Sequence, residues 1–104
     1  MTRKHSYRKI AARNHAAGML YFLKCLADPE KMQSLQDDIS HYKNRKELDR
    51  VRKLKGGLRD ARQLIANVKE CGLSEVRYFT PHTLEIKELV RRILKEGSQL
   101  KLMD

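Results

Sequence analysis

Apolar residues recur at steps of three and four along most of the chain, the spacing that keeps side chains on one face of an α-helix. Met32, Leu35, Ile39 and Tyr42 step by 3, 4 and 3, a seam of the coiled-coil kind. After a step of six the seam resumes at Leu48 and continues through Val51, Leu54 or Lys55, Leu58, Ala61, Ile65 and Val68. A third stripe combines Leu84 or Ile86, Leu89 or Val90, Ile93 and Leu94. Nearer the N-terminus, Ile10, Ala17, Leu20 or Tyr21, and Lys24 or Cys25 trace one face. Ala16, Met19, Phe22, Leu23 and Leu26 widen it until residues 16–26 are apolar nearly all round. Such a helix is central to a core or to a subunit interface. Leu20 and Ile39 are expected to be buried.

Capping and breaking residues set the boundaries. Ser6 is a suitable N-cap for a first helix running to about residue 26, with residues 1–5 as a flexible basic arm. In Asp28-Pro29-Glu30 an aspartate caps, a proline fits the first helical position, and a glutamate complements the helix dipole. Beyond it two arrangements fit. One helix could run from 29 to about 55 and reverse at Gly56-Gly57, or the turn could lie near Asn44 with the helix continuing through the glycines. The double glycine is the stronger breaker and favours the first. The next helix spans about 58–70 and ends at Gly72, a usual C-terminal cap. Residues 73–79 form a short helix capped by Ser74 or an extended link. Thr80-Pro81 repeats the cap-plus-proline signal for a last helix reaching about residue 96, and 98–104 form a frayed tail. The fold class is therefore all-α: one domain, a compact bundle of about four main helices with a basic N-terminal arm.

Composition supports that architecture. The chain has 104 residues, 40% hydrophobic, with no Trp and two Phe, so its core must come mainly from Leu, Ile, Val, Met and Ala. β-branched residues and turn dipeptides are too sparse for an all-β fold. Cys25 and Cys71 are far apart, and the basic N-terminus lacks the apolar run of a secretory signal, so a reducing compartment is expected: the cytoplasm, nucleoid or nucleus. The longest apolar cluster, 19–26, is too short to span a bilayer and contains Lys24.

Charge changes the picture most, since 35% of residues are charged and the net charge is +10. Residues 1–13 hold five Lys/Arg and no acid: Arg3, Lys4, Arg8, Lys9 and Arg13. Residues 43–59 hold eight more, Lys43, Arg45, Lys46, Arg50, Arg52, Lys53, Lys55 and Arg59, opposed only by Glu47 and Asp49. Lys46, Arg50 and Lys53 would align on one helix face, and so would Arg45, Arg52 and Arg59 if the helix were continuous. Rows of this kind can follow a phosphate backbone, where cations are rewarded by counterion release without any base contact. A second row, Lys87, Arg91 and Lys95, lies on the last helix. Tyr7, Tyr21, Tyr42 and Tyr78 are too dispersed for a stacking platform, which favours backbone over base recognition.

Catalytic signals are weak. His5, His15, His41 and His82 have no metal-ligand spacing and the cysteines form no CxxC pair. Asp37-Asp38 is a solvated pair, and there is no phosphate loop or nucleophile elbow. A helix-turn-helix over SEVRYF, TP and HTLEIKELVRRI has too short a first helix and no glycine in its turn. The expectation is a protein without enzymatic activity or cofactor that binds DNA or RNA through phosphates, as a regulator or a nucleoprotein subunit. The alternative is a helical adaptor or inhibitor that covers an acidic protein surface. The seams are also wide enough to pair with a second copy of the chain.

Overall fold

The computed structural model describes residues 2–96, and side chains from residue 15 onward. Four α-helices follow in order, α1 (Thr2–Ala27), α2 (Pro29–Asn44), α3 (Leu48–Cys71) and α4 (Thr83–Lys95), with one 3-10 turn at Leu73–Val76 between α3 and α4. No strand occurs among the described residues. α1 is helical from Thr2, four residues ahead of the cap expected at Ser6. The expected tail, 98–104, lies outside the described residues.

α1 and α2 are joined by a single residue. Asp28 is extended (φ −133°, ψ 112°) and its Oδ1 accepts the Glu30 N–H at 3.0 Å, with Pro29 in the first turn where its missing N–H leaves nothing unpaired. α2 ends at Asn44, which corrects the favoured reversal at Gly56-Gly57. The Lys46 N–H donates to Lys43 O at 3.0 Å and the Glu47 N–H to Tyr42 O at 2.9 Å. Lys46 has φ 61°. This is a Schellman termination with lysine at the left-handed position that glycine usually holds. The step of six between Tyr42 and Leu48 is the trace of this turn in the sequence.

α3 runs unbroken through both glycines. A glycine costs a helix interior about 1 kcal/mol against alanine. Burial of one Val, Leu or Ile side chain returns about 1.5–3 kcal/mol. α3 buries Val51 before the glycines, and Ala61, Leu64, Ile65 and Val68 after them. Packing on both sides therefore outweighs local propensity. It ends at Gly72, whose φ of +90° suits only glycine and whose N–H donates to Val68 O at 2.8 Å.

The core gathers around the second half of α1, where Ala16, Met19, Leu20, Phe22, Leu23, Cys25, Leu26 and Ala27 are buried. α1 packs on α2, α3 and α4, as its all-round apolar character requires. Met32 and Leu35 of α2, and Ile86, Val90 and Ile93 of α4, complete the core. Ile39 is expected inside but is only half-buried, like Leu54 and Leu58, and packs at the margin of the core. Leu84 is 76% exposed, so the α4 stripe begins at Ile86.

The link between α3 and α4 is held by Val76 and Phe79, both buried, with the Phe79 ring stacked on His15 at 5.4 Å. Anchoring these residues displaces the start of α4. Pro81 follows a cis bond in the turn and Thr80 caps nothing, since α4 begins at Thr83. Leu73–Val76 being a single 3-10 turn, the helix-turn-helix arrangement does not form.

Candidate nucleic-acid interface

Because α3 is continuous, its buried residues fix which side faces solvent. Arg52, Lys55 and Arg59, all exposed, lie on that side at steps of 3 and 4. Arg62, half-buried, continues the row, which covers about 15 Å of helix at 1.5 Å per residue. Lys55, Leu58, Arg59, Arg62 and Gln63 line a shallow depression of about 380 Å³ on this flank.

The turn between α2 and α3 makes a second cluster. Lys43, Arg45, Lys46 and Arg50 are exposed around half-buried Glu47 and Tyr42. Glu47 lies 3.8 Å from Arg45 Nε and 3.7 Å from Arg50 Nε. The Arg50 guanidinium sits over the Tyr42 ring, 5.1 Å from its centroid, and Nη1 donates to the Tyr42 hydroxyl at 3.4 Å. One turn on, Arg52 pairs with Asp49 at 3.0 Å. The two acids of the basic segment are thus engaged by arginines. Lys43, Lys46, Lys53, Lys55 and Arg59 have no ion-pair partner among the described residues.

These positions redraw both expected rows. Lys46 lies in the turn, off the helix, so it does not align with Arg50 and Lys53. Arg45 caps α2 and belongs to the turn, so only Arg52 and Arg59 of its row share a face, with Lys55 between them. Lys55 stands in the sequence as an alternative to Leu54 on the apolar seam, and Arg62 lies beyond the expected break at the glycines, so neither is expected in that row. The seven-residue spacing of Arg52 and Arg59 was the available signal. Arg3, Lys4, Arg8, Lys9 and Arg13 all lie within α1, and their side chains are outside the described residues. On α4, Arg91 and Lys95 are exposed and Lys87 is half-buried.

Comparison with protein-family models, curated proteins and solved structures finds no match to this chain.

Other chemistry does not converge on a site. Among the described residues no three His, Cys, Asp or Glu side chains are grouped to hold a metal ion. Asp37 accepts a bond from Gln33 Nε2 at 3.0 Å on the exposed side of α2. Cys71 is exposed and Cys25 buried, and burial pushes the Cys25 thiol above its ordinary value, partly offset by a hydrogen bond with Tyr21. No helix among the described residues is long and apolar enough to cross a membrane.

Proposed function

We propose that this protein binds nucleic acid without catalysis, by contacting phosphates with the solvent side of α3 and the α2–α3 turn. The observation that carries this is the run Arg52, Lys55 and Arg59 on the exposed side of one continuous helix, with Asp49 the only acid paired to it among the described residues. Cations spaced along one helix side can each displace a counterion from a phosphate backbone, and rigid placement lowers the ordering cost of binding. Arg3, Lys4, Arg8, Lys9 and Arg13 add to the positive charge of the chain. Such a role suits a regulator or a nucleoprotein subunit in the cytoplasm, nucleoid or nucleus, acting alone or as a dimer.

Mobility shifts with duplex DNA, single strands and structured RNA at several salt concentrations test this. Binding should weaken linearly in log affinity against log salt, with little dependence on base sequence. Wild-type protein that binds none of them tighter than about 10⁻⁴ M would overturn the proposal in favour of an adaptor or inhibitor for an acidic protein surface.

A further inference from the structure

The α2–α3 turn concentrates four cations, Lys43, Arg45, Lys46 and Arg50, around a single acid, Glu47. Simple charge counting makes that acid a liability for binding a polyanion, since it cancels one positive charge. The geometry points to a different role: the turn is a pre-organised phosphate clamp, and Glu47 is the positioning residue that aims its two arginines. This deepens the nucleic-acid proposal and rests on it.

Three observations support the clamp. First, the Glu47 side chain is tucked beneath the arginines, 35% exposed against 65% for Arg45 and 61% for Arg50. Its oxygens divide between them, Oε2 towards Arg45 Nε and Oε1 towards Arg50 Nε. Both approaches are to Nε, and Arg50 Nη1 is taken by the Tyr42 hydroxyl, so Arg50 Nη2 and both terminal nitrogens of Arg45 have no partner among the described residues; terminal N–H groups of this kind grip phosphate oxygens.

Second, Arg50 is fixed a second time from the other side. Its guanidinium lies on the Tyr42 ring and donates to the Tyr42 hydroxyl, while the Tyr42 carbonyl closes the turn by accepting the Glu47 N–H. Backbone and side chains therefore hold the same three residues, Tyr42, Glu47 and Arg50, together. Exposed ion pairs of this length contribute little to stability, so stability gives the arrangement no reason to exist.

Third, Lys46 occupies a left-handed backbone position (φ 61°) that glycine takes without steric cost. A cation stands where the backbone alone would prefer no side chain. With Lys43 it adds two ammonium groups that have no ion-pair partner among the described residues.

The test compares two substitutions that raise net charge equally. Glu47→Gln removes the positioning carboxylate. Asp60→Asn removes an exposed carboxylate elsewhere on α3 that has no ion-pair partner among the described residues. Each variant is titrated with a mixed-sequence DNA duplex, the matching single strand and an RNA hairpin over a salt series, with helicity followed by circular dichroism. Charge alone dictates that both bind more tightly and with steeper salt slopes. The clamp dictates that Asp60→Asn tightens binding while Glu47→Gln weakens it by about three- to tenfold, because the arginines are no longer pre-organised. Lys46→Gly, which keeps the turn and deletes a cation, should lower the salt slope by about 0.7–0.9 without lowering the melting temperature. Wild-type binding accompanied by tightening of Glu47→Gln in step with Asp60→Asn overturns the clamp alone, as does an unchanged slope for Lys46→Gly. Absence of wild-type binding to all three probes overturns the nucleic-acid proposal and the clamp with it.

Discussion

Gly57 lies so close under the ring of Phe22 that a Cβ at position 57 would overlap Cε2, Cζ and Cδ2 of that ring. Its neighbour Gly56 has no such restriction, with nothing within 4 Å of the position a Cβ would take. Adjacent glycines of one helix therefore have opposite roles. Gly57 is a notch that lets α1 and α3 approach, whereas Gly56 only weakens the helix. Gly57→Ala should destabilise by about 1–3 kcal/mol through overpacking, and Gly56→Ala should stabilise by about 0.5–1 kcal/mol. Denaturant melts of the single variants check both signs. Adding Phe22→Leu to Gly57→Ala should recover part of the loss, a coupling that a double-mutant cycle measures.

The Schellman turn gives a second stability prediction. Lys46→Gly should stabilise the fold by about 0.5–1 kcal/mol, because the residue has φ 61° and its N–H bond to Lys43 O does not depend on the side chain. A lower thermal midpoint for this variant would show that the lysine side chain supports the turn.

Core depth differs between the residues that the apolar pattern placed together. Leu20→Ala should cost about 2–5 kcal/mol, since Leu20 is buried within the central part of α1. Ile39→Ala should cost less, because Ile39 is half-buried and packs at the margin of the core. Equal losses in urea melts would place both in the same environment.

The α3 row is testable as a unit. Changing Arg52, Lys55 and Arg59 to Gln keeps helix propensity nearly constant. Each phosphate that the variant no longer neutralises should flatten the salt dependence of binding by about 0.7–0.9. The weakening should be similar for all sequences, since phosphates carry none of the base information. A deficit confined to one sequence would mean that these side chains reach base edges.

The two thiols should behave oppositely. Cys71 should react with a thiol reagent in the native protein, and Cys25 only after unfolding. Burial raises the folded-state value of Cys25. The unfolded thiol therefore releases its proton first as pH rises, and deprotonation favours the unfolded chain. Stability linked to Cys25 is complete below about pH 8.5 and declines above it. Burial raises Tyr21 as well, so its contribution falls in the same direction at higher pH. Cys25→Ala should remove the first part of the alkaline decline in a series of melts.

The helical class, the Asp28-Pro29 junction and the central place of residues 16–27 were legible because each is local: a period, a cap and a run of apolar side chains. The α3 row was not, because it depends on whether a helix survives Gly56-Gly57. That question is settled by residues distant in sequence. Phe22 needs the notch, and Leu54 before the glycines and Ala61 after them pack on the core. The turn at Lys46 was hidden for the complementary reason, since lysine gives no local sign of a left-handed backbone. What did show was the step of six from Tyr42 to Leu48, a break in register that pointed to the right place. Arg50 on Tyr42 is an interaction across the turn and could be inferred only once that turn was placed.

The packing of α1 against α4 also has a consequence for biosynthesis. The helix that touches every other, α1, is made before the other three, and α4, which packs on it, is made after α2 and α3. While α4 is still within the ribosome, Leu20, Leu23 and their neighbours stay uncovered on the side α4 will occupy. The α2–α3 hairpin, built from near neighbours in sequence, can close early, but the nascent chain carries a sticky flank until residues 86–93 emerge. Slow translation of the stretch that encodes α4 would prolong that exposure and with it the chain's dependence on chaperones.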